Sequence, residues 1–403
     1  MATEMGGTKL FGPAMLADPY PTYHRLREAQ PVSWVPQLDA WVVTSFEAVS
    51  AALRNSQLSS DRFERVRTRL AGKGLDGVLD ERARSLIHMD PPDHTRLRGL
   101  VNKAFTPRAV EAMERRIQKM IDGLLDAVQD RGKMDAMSEL AYPLPITVIA
   151  EMLGVPPEDR DQFKKWSDEI SVVLSGDAAA LPADELRRAI AARHELVEYF
   201  RTIVTRRRAA PQEDLLTALV RAEEGGGRLS EDELYSTAVL LLIAGNETTT
   251  NLIGNGLLAL LRHPDEMRKL QAGPTLIASA IEEMLRFDSP VQLTTRMAKV
   301  DLEIQGTMIR RGQWVYLVLA AANRDPAQFP DPDRFDVARK ENKHVSFGAG
   351  PHFCLGAPLA RLEAQLVFRT LLSRFPGLRF MNEAIEHRNN FNLRGVKALP
   401  VVF

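Results

Sequence analysis

The sequence predicts a mainly α chain with small β-sheets, an α+β fold continuous over residues 1–403. Three observations carry that expectation. Apolar residues recur three and four apart through 93–129 and through a long run at 230–263. Short β-branched and aromatic segments occur near the N-terminus, at 302–320 and at the C-terminus. No repeat of about 20–50 residues and no low-complexity linker divides the chain.

The elements follow in order. "VSWV" at 32–35 and "AWVVTS" at 40–45 read as strands. "DHTRLRGLVNKAF" (93–105) and "PRAVEAMERRIQKMIDGLLDAVQD" (107–130) place their apolar residues on one helical face. The next long segment opens with Ser230 and Glu233, a capping-box pair, and runs to about His263 before Pro264. Such a helix is roughly 50 Å long. It is apolar nearly all round, so it is expected to cross the centre of the protein. "LEIQGTMIRRGQWVYLVLA" and "ALPVVF" supply the remaining strands. The N-terminal strands and 300–320 are expected to form a small β-rich subdomain.

The chain is 45% hydrophobic and 26% charged, with a formal net charge of −1. That is ordinary soluble globular composition. It favours neither nucleic acid nor an anionic membrane as partner. A single cysteine excludes an intramolecular disulfide. The first residues show no basic region followed by an apolar run, so no signal peptide is expected. The uncharged runs fall short of the ~18 residues of a membrane span. A cytoplasmic location is the expectation.

That one cysteine, Cys354, lies in "SFGAGPHFCLGAPLARLEAQ". Gly348 and Gly350 permit backbone conformations closed to other residues and close approach of a flat ligand. Leu355, Leu359, Leu362 and Leu366 repeat at helical spacing, with Pro358 in the first turn. Cys354 therefore sits at or just before a helix N-terminus, where unpaired N–H groups and the helix dipole stabilise a thiolate. A fixed thiolate suits a single axial ligand of an iron porphyrin. Taken alone, a lone cysteine is equally well a buried structural residue. The pattern F-G-x-G-x-H-x-C-x-G, met by Phe347, Gly348, Gly350, His352, Cys354 and Gly356, decides between them. It resembles the haem-binding loop of the cytochrome P450 family of haem-thiolate monooxygenases. The resemblance runs from about residue 18 to the C-terminus. It implies the P450 fold, haem b, a long central helix over the haem, and Cys354 as the iron ligand.

"AGNETTT" interrupts the apolar helix. Gly245 and three threonines lower helix propensity, and Glu247 is costly to bury. A solvated kink would explain them as well. Ala244, Gly245, Glu247 and Thr248 resemble the family's A-G-x-[D/E]-T motif. Dioxygen activation consumes two protons before the O–O bond breaks and water leaves. The resemblance therefore implies that the Thr248 hydroxyl orders a proton donor and that Glu247 resupplies protons. Glutamate stands where aspartate is also frequent, one methylene longer.

Glu283 and Arg286 lie three apart on one helix face, by itself an ordinary surface pair. They resemble the family's E-x-x-R motif, and "FPDPDRFD" offers Arg334 as the expected second arginine of a structural ion-pair network. Haem carboxylates need cationic or N–H partners. The resemblance implies His94 and Arg98, at i and i+4, together with Arg296 and His352.

The resemblance also implies a substrate pocket walled by 60–87, 165–185, 240–244, 290–293 and 390–393. Leu241, Ala244, Val291, Leu293 and Phe391 are its named candidates, and equally plausible core residues. Mostly apolar walls suit a hydrophobic organic substrate. Polyketide-derived, terpenoid, steroid and fatty-acid compounds all fit. One cysteine cannot hold an iron–sulfur cluster. Electrons from NAD(P)H are thus expected to arrive through a ferredoxin reductase and a ferredoxin, with O2 as the oxidant. Arg96, Lys103, Arg108, Lys343 and Arg361 are candidates for docking an acidic partner, or simply solvated charges. A peroxide-driven peroxygenase and a non-catalytic haem-thiolate sensor are the alternatives. The first conflicts with the intact acid–alcohol pair, and the second lacks a visible effector segment.

Overall fold

The N-terminal strands are too short to bury a core alone, and the chain completes them with strands that follow some 250 residues later. In the computed structural model, which describes residues 3–5, 8–10, 13–63, 67, 84–102, 105–171, 182–224 and 229–403, five strands form the main sheet. They are β1 (Val32–Val35), β2 (Ala40–Val43), β3 (Leu58–Ser59), β4 (Thr294–Ala298) and β5 (Trp314–Leu317), in the order β1-β2-β5-β4-β3. Only β2 and β5 run parallel, with Val315 beside Trp41; the other pairs are antiparallel. Alternation along β5 buries Val315 and Leu317 and leaves Trp314 and Tyr316 half-buried. The buried side packs with Val49, Leu53, Leu302 and Ile309. The C-terminal strand Pro400–Val402 pairs with Lys133–Asp135, the latter a strand that its polar sequence does not announce.

Five helices carry the residues of interest: α1 (Asp93–Asn102), α2 (Pro107–Gln129), α3 (Glu231–Arg262), α4 (Ile277–Phe287) and α5 (Ala357–Arg374). The start of α3 is the expected capping box. Glu233 N–H donates to Ser230 Oγ at 3.1 Å, and Ser230 N–H donates to the Glu233 carboxylate at 2.9 Å. No described helix is long and apolar enough to cross a membrane.

The chain divides into two compact units. The first comprises Met1–Ser59, Glu114–Pro143 and Thr248–Phe403; the second comprises Ser60–Met113 and Leu144–Glu247. Helix α3 passes from one to the other. Within the first unit its glycines admit close packing: a Cβ on Gly256 would stand 2.6 Å from Met284 Sδ and 2.9 Å from Phe368 Cζ. Within the second unit Gly245 faces Ile149, and Asn246 Nδ2 donates to Ser167 Oγ at 3.1 Å.

The first unit is organised around Glu283. It and Arg286 are both 0% exposed. Arg286 donates to both carboxylate oxygens at 2.8 Å. The second arginine is Arg339, whose Nε lies 3.1–3.2 Å from both oxygens. Asn342 Nδ2 (3.1 Å) and the backbone N–H of Asp336 (3.0 Å) also donate to this carboxylate. The expectation for Arg334 is thus corrected. Its side chain turns outward, 62% exposed, to pair with Asp336. Only its backbone carbonyl joins the network, accepting from Arg286 and Arg339. The remaining guanidinium donors go to the carbonyls of Asn323, Pro330, Asp331 and Pro332. Satisfaction of every group is what makes a buried ion pair tolerable.

Removing one partner from such a network leaves uncompensated charge. Arg339→Ala is expected to cost ~3–5 kcal/mol, whereas Arg334→Ala is expected to cost under about 1 kcal/mol. Urea-denaturation midpoints of the two variants check the distinction.

Candidate active site

The loop that carries Cys354 is tied at its start to α4. Asn323 Oδ1 accepts from Val345 N–H at 2.8 Å, and Asn323 Nδ2 donates to Ser346 Oγ at 2.8 Å. The Ser346 hydroxyl donates to Leu285 O at 2.7 Å. Two turns follow: Gly348 N–H donates to Val345 O at 2.8 Å, and Phe353 N–H to Gly350 O at 3.1 Å. Gly350 has φ +70°, and a Cβ there would stand 2.8 Å from Leu53 O. Both facts demand glycine. The Cys354 N–H donates to Phe347 O at 2.9 Å, closing the loop. The Cys354 side chain is exposed, and α5 begins three residues later with Pro358 in its first turn. The thiol thus stands ahead of a helix N-terminus, as the spacing of the leucines predicts.

On α3, Ala244 is exposed and Gly245 and Thr248 are half-buried, while Ile243, Asn246, Glu247 and Thr249 are buried. Ala244 and Thr248 lie one turn apart on the same face. The helix continues through "AGNETTT", and Asn246, Glu247, Thr249 and Thr250 are buried, so the polar run is not a solvated one.

His94 and Arg98 share a face of α1 in the second unit. His94 is 2% exposed. Burial, and next the Arg98 charge, push its imidazole below the ordinary range. Arg98 is half-buried and donates to Asn102 Oδ1 at 3.0 Å. Arg296, on β4 of the first unit, is 5% exposed and donates to Thr294 Oγ1 and Thr295 O. His352 is half-buried in the 3-10 turn Gly350–His352 of the cysteine loop. Arg296, His352 and Cys354 therefore belong to one unit, and His94 and Arg98 to the other.

Among the pocket candidates, Leu241 is buried on α3. Val291 forms a bridge with Leu393, flanked by Gln292 N–H to Asn392 O and Arg394 N–H to Pro290 O, each 2.8 Å. This juxtaposes the two segments 290–293 and 390–393. Leu293 is half-buried. Val291 also packs on the sheet core, and Phe391 packs against Met15, Tyr20, Tyr23 and Leu26. Of the other expected walls, residues 64–66, 68–83 and 172–181 lie outside the described residues, as does Lys103. Of the basic candidates, Arg108 and Lys343 are exposed. Arg96 is ion-paired with Glu233 and Arg361 with Glu282.

Sequence reasoning missed Arg339 and Asn342 at the buried carboxylate, and the contacts of Glu282. The second arginine of "RFDVAR" was the available signal for Arg339. Nothing local singles out Asn342.

The residues fit the iron porphyrin that the loop implies. Among the described residues no three His, Cys, Asp or Glu side chains group as a metal site. An accessible thiol ahead of a helix N-terminus would offer one anionic ligand to an iron whose remaining protein-independent ligands a porphyrin brings with it. Within the unit that holds Cys354, Arg296 is a buried cation of the type that haem carboxylates require.

Comparison with known proteins agrees. The family model described as Cytochrome P450 matches residues 31–273 and 275–393. The chain is 44% identical over 394 residues to the 6-deoxyerythronolide B hydroxylase of Saccharopolyspora erythraea, covering 95% of this chain and 96% of that one. It is 43% identical to the cytochrome P450 monooxygenase PikC of Streptomyces venezuelae, covering 97% and 92%. Among solved structures, CalO2 superposes with a TM-score of 0.91 at 35% identity, covering 100% and 99%. P450BioI, solved with a hexadec-9Z-enoic acid-ligated acyl carrier protein, gives 0.87 at 37%, covering 97% and 99%. The loop, the helix motif and the full-length matches converge: this chain belongs to the cytochrome P450 family and is a haem-thiolate monooxygenase.

Proposed function

We propose that Cys354 is the axial thiolate of this monooxygenase and that Thr248 and Glu247 deliver its protons to dioxygen. The observation that carries the reading is the cysteine loop. Its backbone is closed by the Cys354 N–H to Phe347 O bond, and its only thiol is accessible at the head of α5. Haem supplies the iron centre at which dioxygen is reduced and one oxygen atom passes to substrate. The net reaction consumes two electrons and two protons and releases one water.

The protein's own groups then have distinct tasks. The N–H groups at the start of α5 hold charge on Cys354 Sγ. Thr248, half-buried one turn after Ala244 on α3, orders a water as proton donor through its hydroxyl. The adjacent Glu247 carboxylate resupplies the proton. Asn246, anchored on Ser167, keeps this stretch in register. Arg296, Arg98, His94 and His352 hold the haem carboxylates. Residues 1–403 are read as a single haem-binding domain, which the family match over 31–273 and 275–393 supports.

The substrate is a hydrophobic organic molecule, hydroxylated or epoxidised, and Leu241, Ala244, Val291, Leu293 and Phe391 contribute to its pocket. Similarity to the polyketide biosynthesis cytochrome P450 PksS of Bacillus subtilis, 39% identical over 398 residues, favours a polyketide-derived compound. Electrons reach the protein from NAD(P)H through a ferredoxin reductase and a ferredoxin.

Two experiments test the assignments. The dithionite-reduced protein with carbon monoxide is expected to show the strongly red-shifted Soret band of thiolate-ligated haem. Cys354→Ser is expected to lose it; retention of the band in that variant would remove Cys354 as the ligand. With a ferredoxin system, Glu247→Gln is expected to slow product formation on the order of 10²-fold. Thr248→Ala is expected to continue consuming O2 while releasing hydrogen peroxide instead of product. Full turnover with peroxide alone, indifferent to Thr248→Ala, would overturn the relay.

A further inference from the structure

Two adjacent glutamates on α4 face different ways. Glu283 closes the buried network described above. Glu282 leaves that network and meets the cysteine loop. Its carboxylate accepts a fork of two 2.7 Å hydrogen bonds from Arg361 Nε and Nη2. It also lies 3.1 Å from His344 Nε2. The His344 Nδ1 accepts from Ser346 N–H at 3.2 Å, so a neutral ring carries its proton on Nε2 and donates it to Glu282. The Arg361 guanidinium stands 4.6 Å from the centre of the Phe347 ring. Phe347 is the residue whose carbonyl accepts the Cys354 N–H. One carboxylate thus ties together α4, the loop before the cysteine, and α5 after it.

The electrostatics agree with this geometry. Burial alone would push the Glu282 carboxyl up; the hydrogen bonds from Arg361 and His344, with the Arg361 charge, outweigh it and hold the carboxyl at about 2. Arg361 is held above its ordinary range, first by the hydrogen bond to Glu282, against the effect of burial. The charges of Glu282 and of Cys354 add to this. The geometric link from Arg361 to the cysteine runs through Phe347, which carries the guanidinium against its ring and accepts the Cys354 N–H on its carbonyl. An arginine in a bidentate pair and over a ring has little freedom to move.

We propose that Glu282 and Arg361 are a positioning pair that sets the reduction potential of the haem, Glu282 fixing the Arg361 cation against Phe347, the residue that closes the cysteine loop. The proposal rests on the reading of Cys354 as the haem ligand. A positive charge held beside the thiolate favours the reduced state, which carries one more electron, and the Glu282 charge partly offsets it. A charge pair acting in this way makes opposite predictions for its two members. Arg361→Gln removes the cation and leaves the anion, so the potential falls. Glu282→Gln removes the anion and leaves the cation, so the potential rises. The double variant returns the pair to zero net charge and sits near wild type. A purely structural tie has no such sign.

The test is a spectroelectrochemical titration of the purified haem-loaded protein in all four forms, with the reduced carbon monoxide spectrum recorded for each. Each single variant is expected to change the one-electron reduction equilibrium about tenfold, equivalent to about 59 mV, in opposite directions. Single variants that both shift the same way, or neither shifts, overturn the proposal while leaving the thiolate reading intact. If wild type lacks the thiolate-type spectrum, the reading fails and this inference with it. Should Arg361→Gln take up no haem, Glu282→Gln decides alone: its potential must rise.

Discussion

The rest of the first unit depends on one carboxylate that no water reaches. Glu283 is fully buried, and so is Arg286. An isolated charge in that position would be untenable. It persists because Arg286, Arg339, Asn342 and the Asp336 N–H all donate to it. Those four partners come from α4 and from 336–342. The same arginines also donate to carbonyls at 323, 330–332 and 334. Charge satisfaction therefore specifies the path of an irregular segment whose sequence has no periodicity to specify it. The loop at 345–354 begins where that segment ends.

The cysteine loop shows how such a path becomes chemistry. It has no regular pairing of its own beyond tight turns, yet each end is held. Asn323 and Ser346 fasten its start to α4, and Gly350 packs directly on the Leu53 carbonyl. Glu282 adds a second clasp, through Arg361 and His344. Rigid support from regular elements is what lets a loop present a single reactive atom in a fixed place. The neighbouring glutamates on α4 divide this labour, one holding the backbone and one a charge.

Helix α3 is the other fixed element. Its length and burial follow from an apolar sequence with a capping box at its start. Its glycines let side chains such as Met284 and Phe368 approach the backbone closely. Against that background, Ala244 and Thr248 stand out as accessible positions on one face. Small residues and a hydroxyl there are a local departure from core composition, which is where function is to be expected.

Local pattern alone determined a good deal. The strands at 32–35, 40–43 and 314–317, the bounds of α3 and the helix after Cys354 all follow from periodicity, capping and proline. The loop signature was legible because glycine geometry and a lone thiol are properties of a short stretch. Side-chain direction was decided only in three dimensions. "RFDVAR" offers two arginines, and the family resemblance points to Arg334. Backbone turning at 331–339 instead sends Arg334 to solvent and Arg339 to the carboxylate. Arg361 reads as a surface charge until Glu282, 79 positions away, is seen to hold it. The parallel pairing of β2 with β5 is likewise invisible locally. Periodicity is a property of neighbours in the chain, whereas an ion pair or a strand pair is a property of neighbours in space.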